Sequence, residues 1–320
     1  MNAPPLVSIV MPAFNAARWL PSALDSALAQ TYPHFELIVV DDGSADSTPS
    51  ILETYRINHG IRVITQNNQG QSAAANRGLA EARGDYIKFF DADDVMSPVM
   101  LATQVAALAH QPGCVAYGAW GRFHDHPDEA VFSTHPGWHD SPPLDWIVET
   151  WADTEPMYQC ALFLLPRELL QRVGGWDARL GLINDFEFFT RLVLSSRGLV
   201  FTPDARLFYR SGLAGSLSRT KSHAALASGL LSNQLAIAHL LAAENSPCTR
   251  RLGANLLQNF VYSFYPSCPD LAGEALAQVS ALGGSALLPN GGDFFKLTCR
   301  LFGWRAALKL RAVNKNRPSS

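Results

Sequence analysis

The first third of this sequence alternates short apolar runs with segments in which apolar residues recur at helical spacing. The apolar runs at 6–11, 35–40, 61–65 and 86–90 predict buried strands. The segments between and after them predict helices at 16–30, from Asp46 or Ser47 to about His59, at 72–82, and from Pro98 to about His110. This order predicts an α/β fold with a mostly parallel central sheet and helices on both of its faces.

Three carboxylates, Asp91, Asp93 and Asp94, follow the fourth apolar run. Ligands of open α/β sheets bind at the carboxyl ends of strands, and three acids there repel one another unless a cation lies among them. Carboxylate oxygens suit Mg²⁺ or Mn²⁺, so the sequence predicts a divalent metal site. The alternative is a helix N-terminus with acidic residues in its first turn, and for Asp94 that alternative stays open.

Two further polar turns follow strands of the same predicted sheet. They lie at 12–15, where Pro12 is expected to end the first strand, and at 41–44. Three such turns on one sheet edge favour a binding site. The sequence lacks Gly-x-Gly-x-x-Gly after its first strand and lacks Gly-x-x-x-x-Gly-Lys-Ser/Thr. A dinucleotide site and a P-loop are therefore not favoured, and a metal is expected to hold the phosphates of a ligand.

Composition narrows the class of protein. The chain has 320 residues, of which 48% are hydrophobic and 17% charged, which is typical of a globular protein. Its net charge of −3 gives no argument for nucleic acid as a partner. The five cysteines form no Cys-x-x-Cys pair, which fits a reducing cytoplasm. We expect neither a signal peptide nor a transmembrane helix.

Four motifs occur in the order seen in a known family. Val-Ser-Ile-Val-Met-Pro-Ala-Phe-Asn at 7–15 and Leu-Ile-Val-Val-Asp-Asp-Gly-Ser at 37–44 resemble the inverting family 2 glycosyltransferases of the GT-A fold. Asn-Arg-Gly-Leu at 76–79 and Gly-Asp-Tyr-Ile-Lys-Phe-Phe-Asp-Ala-Asp-Asp at 84–94 continue the likeness. The resemblance covers roughly residues 6–210 and implies a Rossmann-like sheet, a nucleotide-sugar donor and a Mg²⁺ or Mn²⁺ cofactor.

The resemblance also implies roles for individual residues. Phe14 and Asp42 would contact the nucleotide base, Asp91 would lie near the ribose and diphosphate, and Asp93 would bind the metal. Family members often carry Arg where this chain has Ala75, so a charge contact to the donor or to Asp91 is missing here. The donor-binding residues predicted in this way are Pro12, Phe14, Asn15, Asp42, Gly70, Asn76, Asp91 and Ala92.

A second segment carries the expected catalytic base. Family members show Gly-Gly-Phe-Asp and then Glu-Asp before a helix, whereas this chain has Trp176 and Asn184 in place of the Phe and the Glu. The resemblance assigns the base to Asp185, with Asn184 as a possible helix cap. Glu187 is the local competitor, and it points to a different face of the helix. The other interpretation of Asp185 is an acid that interacts with the helix dipole.

Residues 113–160 favour loops and core over a second site. Their histidines lie among Pro, Gly and Asp, which favours solvated side chains over metal ligands. Their aromatic residues could form a sugar-stacking wall but are more typical of a core. Strands are predicted at 115–122, 199–202 and 205–209. Tyr209-Arg210, followed by Gly-Ser-Leu-Ser at 215–218, resembles a loop that closes over the donor diphosphate in relatives. The histidines are His124, His126, His135 and His139, and the aromatic residues are Trp138, Trp146, Trp151 and Tyr158.

The last hundred residues lie outside the resemblance. We expect a glycosyltransferase domain at 1–218 and a helical C-terminal region at 219–320. The tail at 294–310 interleaves aromatic residues and leucines with Lys and Arg. Such a stretch is typical of a helix that binds a membrane surface. A final helix packed on the protein is the alternative, and the sequence leaves both open.

Together these features predict a metal-dependent inverting glycosyltransferase that transfers a sugar from a nucleotide-diphosphate donor to a hydroxyl acceptor. The acceptor is expected to be a carbohydrate or a lipid-linked sugar of cell-surface polysaccharide or glycolipid synthesis. We expect a cytoplasmic protein, held at the inner face of the membrane if the tail binds lipid. The alternatives are an inactive sugar-nucleotide-binding module and a nucleotidyltransferase, although the latter needs a basic, glycine-rich triphosphate loop that 12–18 does not supply.

Overall fold

The computed structural model describes residues 3–212 and 222–315. The strands are β1 (Val7–Ala13), β2 (Phe35–Asp41), β3 (Arg62–Thr65), β4 (Tyr86–Phe89), β5 (Val95–Met96), β6 (Val115–Phe123), β7 (Phe163–Pro166) and β8 (Leu199–Arg210). The helices are α1 (Leu20–Leu28), α2 (Thr48–His59), α3 (Gln71–Glu81), α4 (Met100–Leu108), α5 (Pro143–Thr150), α6 (Arg167–Val173), α7 (Asn184–Ser195), α8 (His223–Ala243), α9 (Pro247–Phe264), α10 (Pro269–Ala281) and α11 (Asp293–Lys315).

The central sheet has the strand order β3-β2-β1-β4-β7-β6-β8-β5. The predicted α/β class is confirmed, and β1 to β4 form the parallel half of the sheet. The other half is mixed, because β7 runs antiparallel to β4 and β6, and β5 runs antiparallel to β8. The crossovers place the carboxyl ends of β1, β2 and β4 side by side, where the three polar turns lie.

Two predicted strand boundaries are wrong. β1 does not end at Pro12 but runs on to Ala13, with Pro12 opposite Val40. The Val10 carbonyl accepts from the N–H of Phe90, the residue after β4. In a strand, the nitrogen two residues on faces the same side, so Pro12 N points toward β4. The pairing with β4 has already ended at Val10. A missing N–H therefore breaks no ladder there. The two strands predicted at 199–202 and 205–209 are the single strand β8, which is irregular opposite Gly118 and Ala119 of β6.

Three of the four aromatic residues considered for a sugar-stacking wall are buried in the core. Trp146, Trp151 and Tyr158 are buried, which favours the core interpretation of these side chains over a sugar-stacking wall. Trp138 is partly exposed and stacks on Phe201 with ring centroids 5.7 Å apart. Gly78 allows α3 to lie close to the sheet, because a Cβ at this position would overlap the side chain of Val10.

The C-terminal region is helical, as predicted. α8 packs on α7, α9 and α10. By length and composition α8 could also cross a membrane, contrary to the expectation from sequence, but 44% of the window is buried and core helices pass the same test. α11 is broken at Gly303, which has φ of 76° and ψ of 156°. The proposed boundary at 218/219 lies outside the described residues.

Lys88 of β4 is 0% exposed and lies three residues before Asp91 in the chain. Its ammonium group donates to Gln104 Oε1 at 2.7 Å and to the Phe163 carbonyl at 3.3 Å. Gln104 in turn donates to the Leu162 carbonyl at 2.7 Å. With no carboxylate in these contacts, burial lowers the pKa of Lys88 to about 7.

We expect the stability of the wild type relative to Lys88→Met to rise with pH. The unfolded chain keeps this lysine protonated up to its ordinary pKa of 10.5, whereas the folded chain releases the proton near pH 7. Between those values the unfolded state binds more protons, so the difference in unfolding free energy should grow by up to roughly 4 kcal/mol. Urea denaturation at pH 7, 8, 9 and 10 measures it. Lys296→Met, at an exposed lysine, is the control, and a difference independent of pH would contradict the prediction.

Candidate active site

The turn after β4 brings three carboxylates together. One oxygen from each of Asp91, Asp93 and Asp94 lies within 4.8 Å of the others. Burial, and then the charges of Asp93 and Asp185, raises the pKa of Asp91 to about 7. Burial and the neighbouring acids also raise the pKa of Asp94 well above its ordinary value. Burial and mutual repulsion therefore disfavour the ionised form of these carboxylates. A bound cation would relieve that repulsion.

Groups outside the turn hold two of these acids. The Gln159 amide nitrogen donates to Asp91 Oδ2 at 2.8 Å and to Asp94 Oδ2 at 2.6 Å. Gln71 Nε2 donates to the other oxygen of Asp91 at 2.8 Å, and the Arg210 backbone N–H donates to Asp94 Oδ1 at 2.8 Å. Both oxygens of Asp91 and of Asp94 therefore accept hydrogen bonds from the protein.

Asp93 differs from its two neighbours. Within the described part of the chain, its carboxylate accepts only from its own backbone N–H. Burial raises its pKa, and the Arg210 charge acts in the opposite direction. A divalent ion of the Mg²⁺ or Mn²⁺ type fits this oxygen donor set, with Asp93 as the carboxylate that is free to bind it.

Arg210 supplies a positive charge beside Asp93. Its Nε donates to the Asp93 carbonyl at 2.8 Å, and its guanidinium lies 4.0 Å from the centroid of Trp19 and 4.4 Å from that of Phe123. One of its terminal nitrogens donates to the carbonyls of residues 124 and 125. This arginine therefore holds the acid turn from β8.

The turns after β1 and β2 are joined to each other. The Asn15 backbone N–H donates to Ser44 Oγ at 2.9 Å, and Asn15 Oδ1 accepts from the Ala45 N–H at 2.8 Å. Asn15 adopts a positive φ of 48°, a conformation that Asn tolerates better than most residues. Phe14, beside it, is 50% exposed, so an aromatic face is presented to solvent at this edge.

Asp42 organises the loop after β3. Its Oδ1 accepts from Gln66 Nε2 at 2.7 Å and from the Gln69 N–H at 2.9 Å, and its Oδ2 accepts from the Gly70 N–H at 2.8 Å. Gly70 has φ of 89° and precedes the first residue of α3. The structure shows what these two residues hold in the protein, and their contact with a donor stays a prediction.

Asn76 makes a structural contact. Its Nδ2 donates to the Trp176 carbonyl and its Oδ1 accepts from the Trp176 N–H, both at 2.8 Å. It therefore joins α3 to the turn before α7. Ala75, the departure from the family pattern, is buried beside it. The donor contacts expected of Asn76, of the buried Ala92 and of Pro12 stay predictions.

Asp185 and Glu187 have different environments. Asp185 is partly exposed in the first turn of α7, and burial raises its pKa to about 6. Glu187 is 3% exposed and accepts from Arg191 Nε at 2.6 Å and pairs with His239 Nε2 at 3.1 Å. Burial acts to raise the pKa of Glu187, but the hydrogen bonds from His239 and Arg191 outweigh it and hold the pKa low. Glu187 is thus committed to an ion pair with Arg191 within α7 and to a hydrogen bond with His239 of α8.

One prediction made from the sequence at α7 is wrong. Asn184 does not cap the helix, because Ile183 occupies the N-cap position and Asn184 is the first helical residue. The Asn184 amide nitrogen donates to Ser72 Oγ of α3 at 3.0 Å. The residue before Asp185 is therefore tied to α3, the helix whose first residue, Gln71, donates to Asp91.

Sequence reasoning missed Gln71 and Gln159, and it placed Arg210 only beside a loop over the donor diphosphate, without its contact with Asp93. Neutral amides and a lone arginine have no spacing that marks them, and they come from 20, 68 and 119 positions away from Asp91. The signal available was only that acids at a strand end need donors around them. Among residues 3–212 and 222–315, the three acids are the one group of His, Cys, Asp and Glu with metal-binding proximity, so the loop histidines form none. The segment 215–218 lies outside the described residues.

An α/β sheet with an acidic cluster at its carboxyl edge, a partly exposed acid on a facing helix and this strand order defines a glycosyltransferase of the GT-A class. The chain belongs to glycosyl transferase family 2, whose model matches residues 8–174.

Comparison with individual proteins agrees. Glycosyltransferase GlyG from Streptococcus pneumoniae is 29% identical over 232 residues, 68% of this chain and 74% of GlyG. An uncharacterized glycosyltransferase from Rickettsia prowazekii is 29% identical over 190 residues, which is 58% of each chain. The chain therefore spans only part of these relatives.

Solved structures share the fold. S. aureus TarS in complex with UDP-GlcNAc matches with a TM-score of 0.71 and 18% identity, over 96% of this chain and 92% of that one. The mannosyltransferase PcManGT from Pyrobaculum calidifontis, in complex with GDP-Man and Mn²⁺, matches with a TM-score of 0.55 and 22% identity, over 97% and 86%.

Asp93→Asn should abolish stabilisation by a divalent cation without weakening the fold. Removing one of three adjacent charges relieves repulsion, so thermal unfolding without metal should occur at the wild-type temperature or above it. Saturating Mg²⁺ or Mn²⁺ should stabilise the wild type, by about 2.7 kcal/mol at a hundredfold excess over Kd, and leave the variant unchanged. Asp204→Asn, at an exposed acid of β8, is the control. An equal cation response in Asp93→Asn would remove Asp93 from the metal site.

Proposed function

We propose that this chain is a metal-dependent inverting glycosyltransferase that moves a sugar from a nucleotide-diphosphate donor to a hydroxyl group of a carbohydrate or lipid-linked acceptor. The observation that carries the proposal is the cluster of Asp91, Asp93 and Asp94 at the carboxyl edge of the sheet, with the partly exposed Asp185 in the first turn of α7 close enough to interact electrostatically with Asp91. A pKa of about 6 leaves most of the Asp185 carboxyl ionised at neutral pH, and it makes the group a stronger base than an ordinary aspartate.

Each residue then has a task in a single displacement. Asp185 accepts the proton of the acceptor hydroxyl as its oxygen attacks the anomeric carbon. Asp93 would hold the divalent ion, which would neutralise the charge of the departing nucleoside diphosphate. The hydrogen bonds from Gln71 and Gln159 hold the Asp91 and Asp94 carboxylates in place. Direct attack needs no covalent sugar–enzyme intermediate and inverts the anomeric configuration.

The proposal does not choose the base of the donor nucleotide. TarS and PcManGT, which share the fold, are in complex with UDP-GlcNAc and with GDP-Man and Mn²⁺ respectively. These support a nucleotide-sugar donor and a divalent cation for this chain. A panel of UDP-, GDP- and dTDP-sugars, tested for metal-dependent hydrolysis, separates an active transferase from an inactive sugar-nucleotide-binding module. Release of pyrophosphate from a nucleoside triphosphate would instead indicate a nucleotidyltransferase.

Asp185→Asn should lower turnover and leave donor affinity nearly unchanged, because the residue acts on the acceptor. The loss of a general base is worth about 10²–10⁴-fold in rate. Turnover of the best donor in the panel and titration of its nucleoside diphosphate measure the two quantities. Glu187→Gln serves as the comparison, since it breaks the ion pair with Arg191 and should lower thermal stability more than turnover. Full activity in Asp185→Asn with loss in Glu187→Gln would transfer the role to Glu187.

We also propose cytoplasmic location, with peripheral contact between α11 and the inner membrane face. The structure divides α11 into two parts. After Gly303, Trp304 packs against the rings of Tyr262 and Tyr265, and Ala307 and Leu308 are buried. Before it, Leu301 is 66% and Phe302 68% exposed.

Basic residues flank this exposed apolar surface. Lys296 and Arg300 are exposed four positions apart, and so are Leu297 and Leu301, so each pair forms a ridge on one face of the helix. Anionic lipid complements such a surface, because each Lys or Arg near it contributes about 1 kcal/mol and the leucines enter the interface.

Leu301→Glu with Phe302→Glu should reduce association with anionic vesicles while leaving donor hydrolysis intact. Truncation after Gly292 would also expose Tyr262 and Tyr265, so the paired substitution is the cleaner change. Co-sedimentation with phosphatidylglycerol vesicles at low and high salt measures binding, with phosphatidylcholine as the lipid control. Ile57→Glu, at an exposed apolar residue of α2, is the protein control. Equal pelleting of all proteins, or none, would leave α11 as a packed helix.

A further inference from the structure

The residue before α7 has an unfavourable backbone conformation. Ile183 adopts φ of 57° and ψ of 34°, the left-handed region. A β-branched side chain rarely adopts this region, because its Cβ crowds the following carbonyl, and such residues persist only where the surrounding structure holds them. Ile183 lies two positions before Asp185, so its conformation sets the direction in which α7 begins.

Two serines of α8 hold this segment. Ser228 Oγ accepts from the Gly181 N–H at 2.8 Å and from the Leu182 N–H at 3.2 Å. One turn on, Ser232, which is fully buried, donates its hydroxyl to the Ile183 carbonyl at 2.6 Å. The two serines are four positions apart and therefore share a face of α8.

Shape and a second helix support the same segment. Gly229, between the serines, lies against Ile183, since a Cβ there would make an ordinary contact with Ile183 Cδ1 at 3.4 Å. From the other side, Ser72 of α3 donates to the Leu180 carbonyl at 2.9 Å and accepts from the Asn184 amide at 3.0 Å. Residues 180–184 are thus held between α3, whose Gln71 bonds Asp91, and α8.

We propose that Ser228 and Ser232 are positioning residues of the transfer reaction: they hold Ile183 in its left-handed conformation and so aim Asp185 at the acceptor hydroxyl. This inference rests on the proposed function, because it takes Asp185 as the base. α8 lies beyond residue 174, where the family match ends. The helical C-terminal region is therefore part of the catalytic apparatus and does more than pack on it.

A contact one turn further along α7 points to the same pair of helices. His239 of α8 pairs with Glu187 at 3.1 Å, and Glu187 also pairs with Arg191. Arg191 donates to the carbonyls of Val173 and Gly175 in the turn that precedes this segment. The ion pair orients the body of α7, whereas the serines determine how its first turn begins.

The first test is Ser232→Ala and Ser228→Ala, with Ser263→Ala at an exposed serine of α9 as the control. Each protein is assayed below its unfolding temperature for kcat of donor hydrolysis and for the Kd of the nucleoside diphosphate. We expect kcat to fall roughly tenfold in the α8 variants, with Kd unchanged, because a small misplacement of a catalytic group is costly. A merely structural role predicts a lower Tm with unchanged kcat, and that result would overturn the proposal.

The second test is a double-mutant cycle with Ile183→Asn, because Asn enters the left-handed region more readily than Ile. If the serines act through this backbone, Ser232→Ala should cost less kcat in the Asn background than in the wild type. Additive losses in the cycle would show that the serines act by another route and would overturn the proposal.

Amide hydrogen exchange gives a readout that does not depend on activity. Ser228→Ala should speed exchange at Gly181 and Leu182, whose N–H groups it frees, and unchanged exchange would overturn the proposal. If Asp185→Asn is fully active, the assignment of the base to Asp185 fails, and the catalytic part of this inference fails with it. If Asp185→Asn is impaired while the serine variants keep full kcat, the base stands and the positioning role alone is lost.

Discussion

The repulsion among Asp91, Asp93 and Asp94 is the constraint on which the rest of the site depends. One oxygen from each lies within 4.8 Å of the others, in a place where burial already disfavours charge. Such a cluster folds only if other groups donate to it. The donors come from α3, from the turn before β7 and from β8, so the positions of those three elements are coupled to four residues of one turn. Within residues 3–212 and 222–315, these donors leave Asp93 as the one acid of the three that accepts from no other residue.

The strands and helices of the parallel half could be predicted because each has a periodic pattern of apolar residues. Apolar runs alternating with helical segments predicted the parallel half of the sheet, and the position of the acids after a strand predicted the cluster. The reversal of β7 could not be predicted in this way, since the pattern of a short buried strand does not contain its direction. Pro12 misled for a local reason. It normally ends a ladder, but here its nitrogen faces a side on which pairing has already stopped.

The parts that could not be predicted are those made by single polar contacts across long separations. Gln159 and Gln71 have no pattern, yet each donates to an acid of the cluster. Asn76 was assigned to the donor from a motif, whereas its amide joins two elements of the protein. Asp185 and Glu187 remained competitors in the sequence because helical spacing shows that they differ in direction without showing what lies in each direction. The contact that separates them comes from His239, 52 positions beyond Glu187.

The division of the chain between its two tasks has a physical basis. The family match ends at residue 174, after the acid cluster and its glutamines but before Asp185 and α8. A nucleoside diphosphate and its cation present the same charges whatever the sugar or acceptor, so the groups that hold them can stay the same among relatives. The proposed base, Asp185, must instead meet a hydroxyl whose position depends on the acceptor. Anchoring the base to a separate helix, through Ser228, Ser232 and His239, allows that position to change without disturbing the acids.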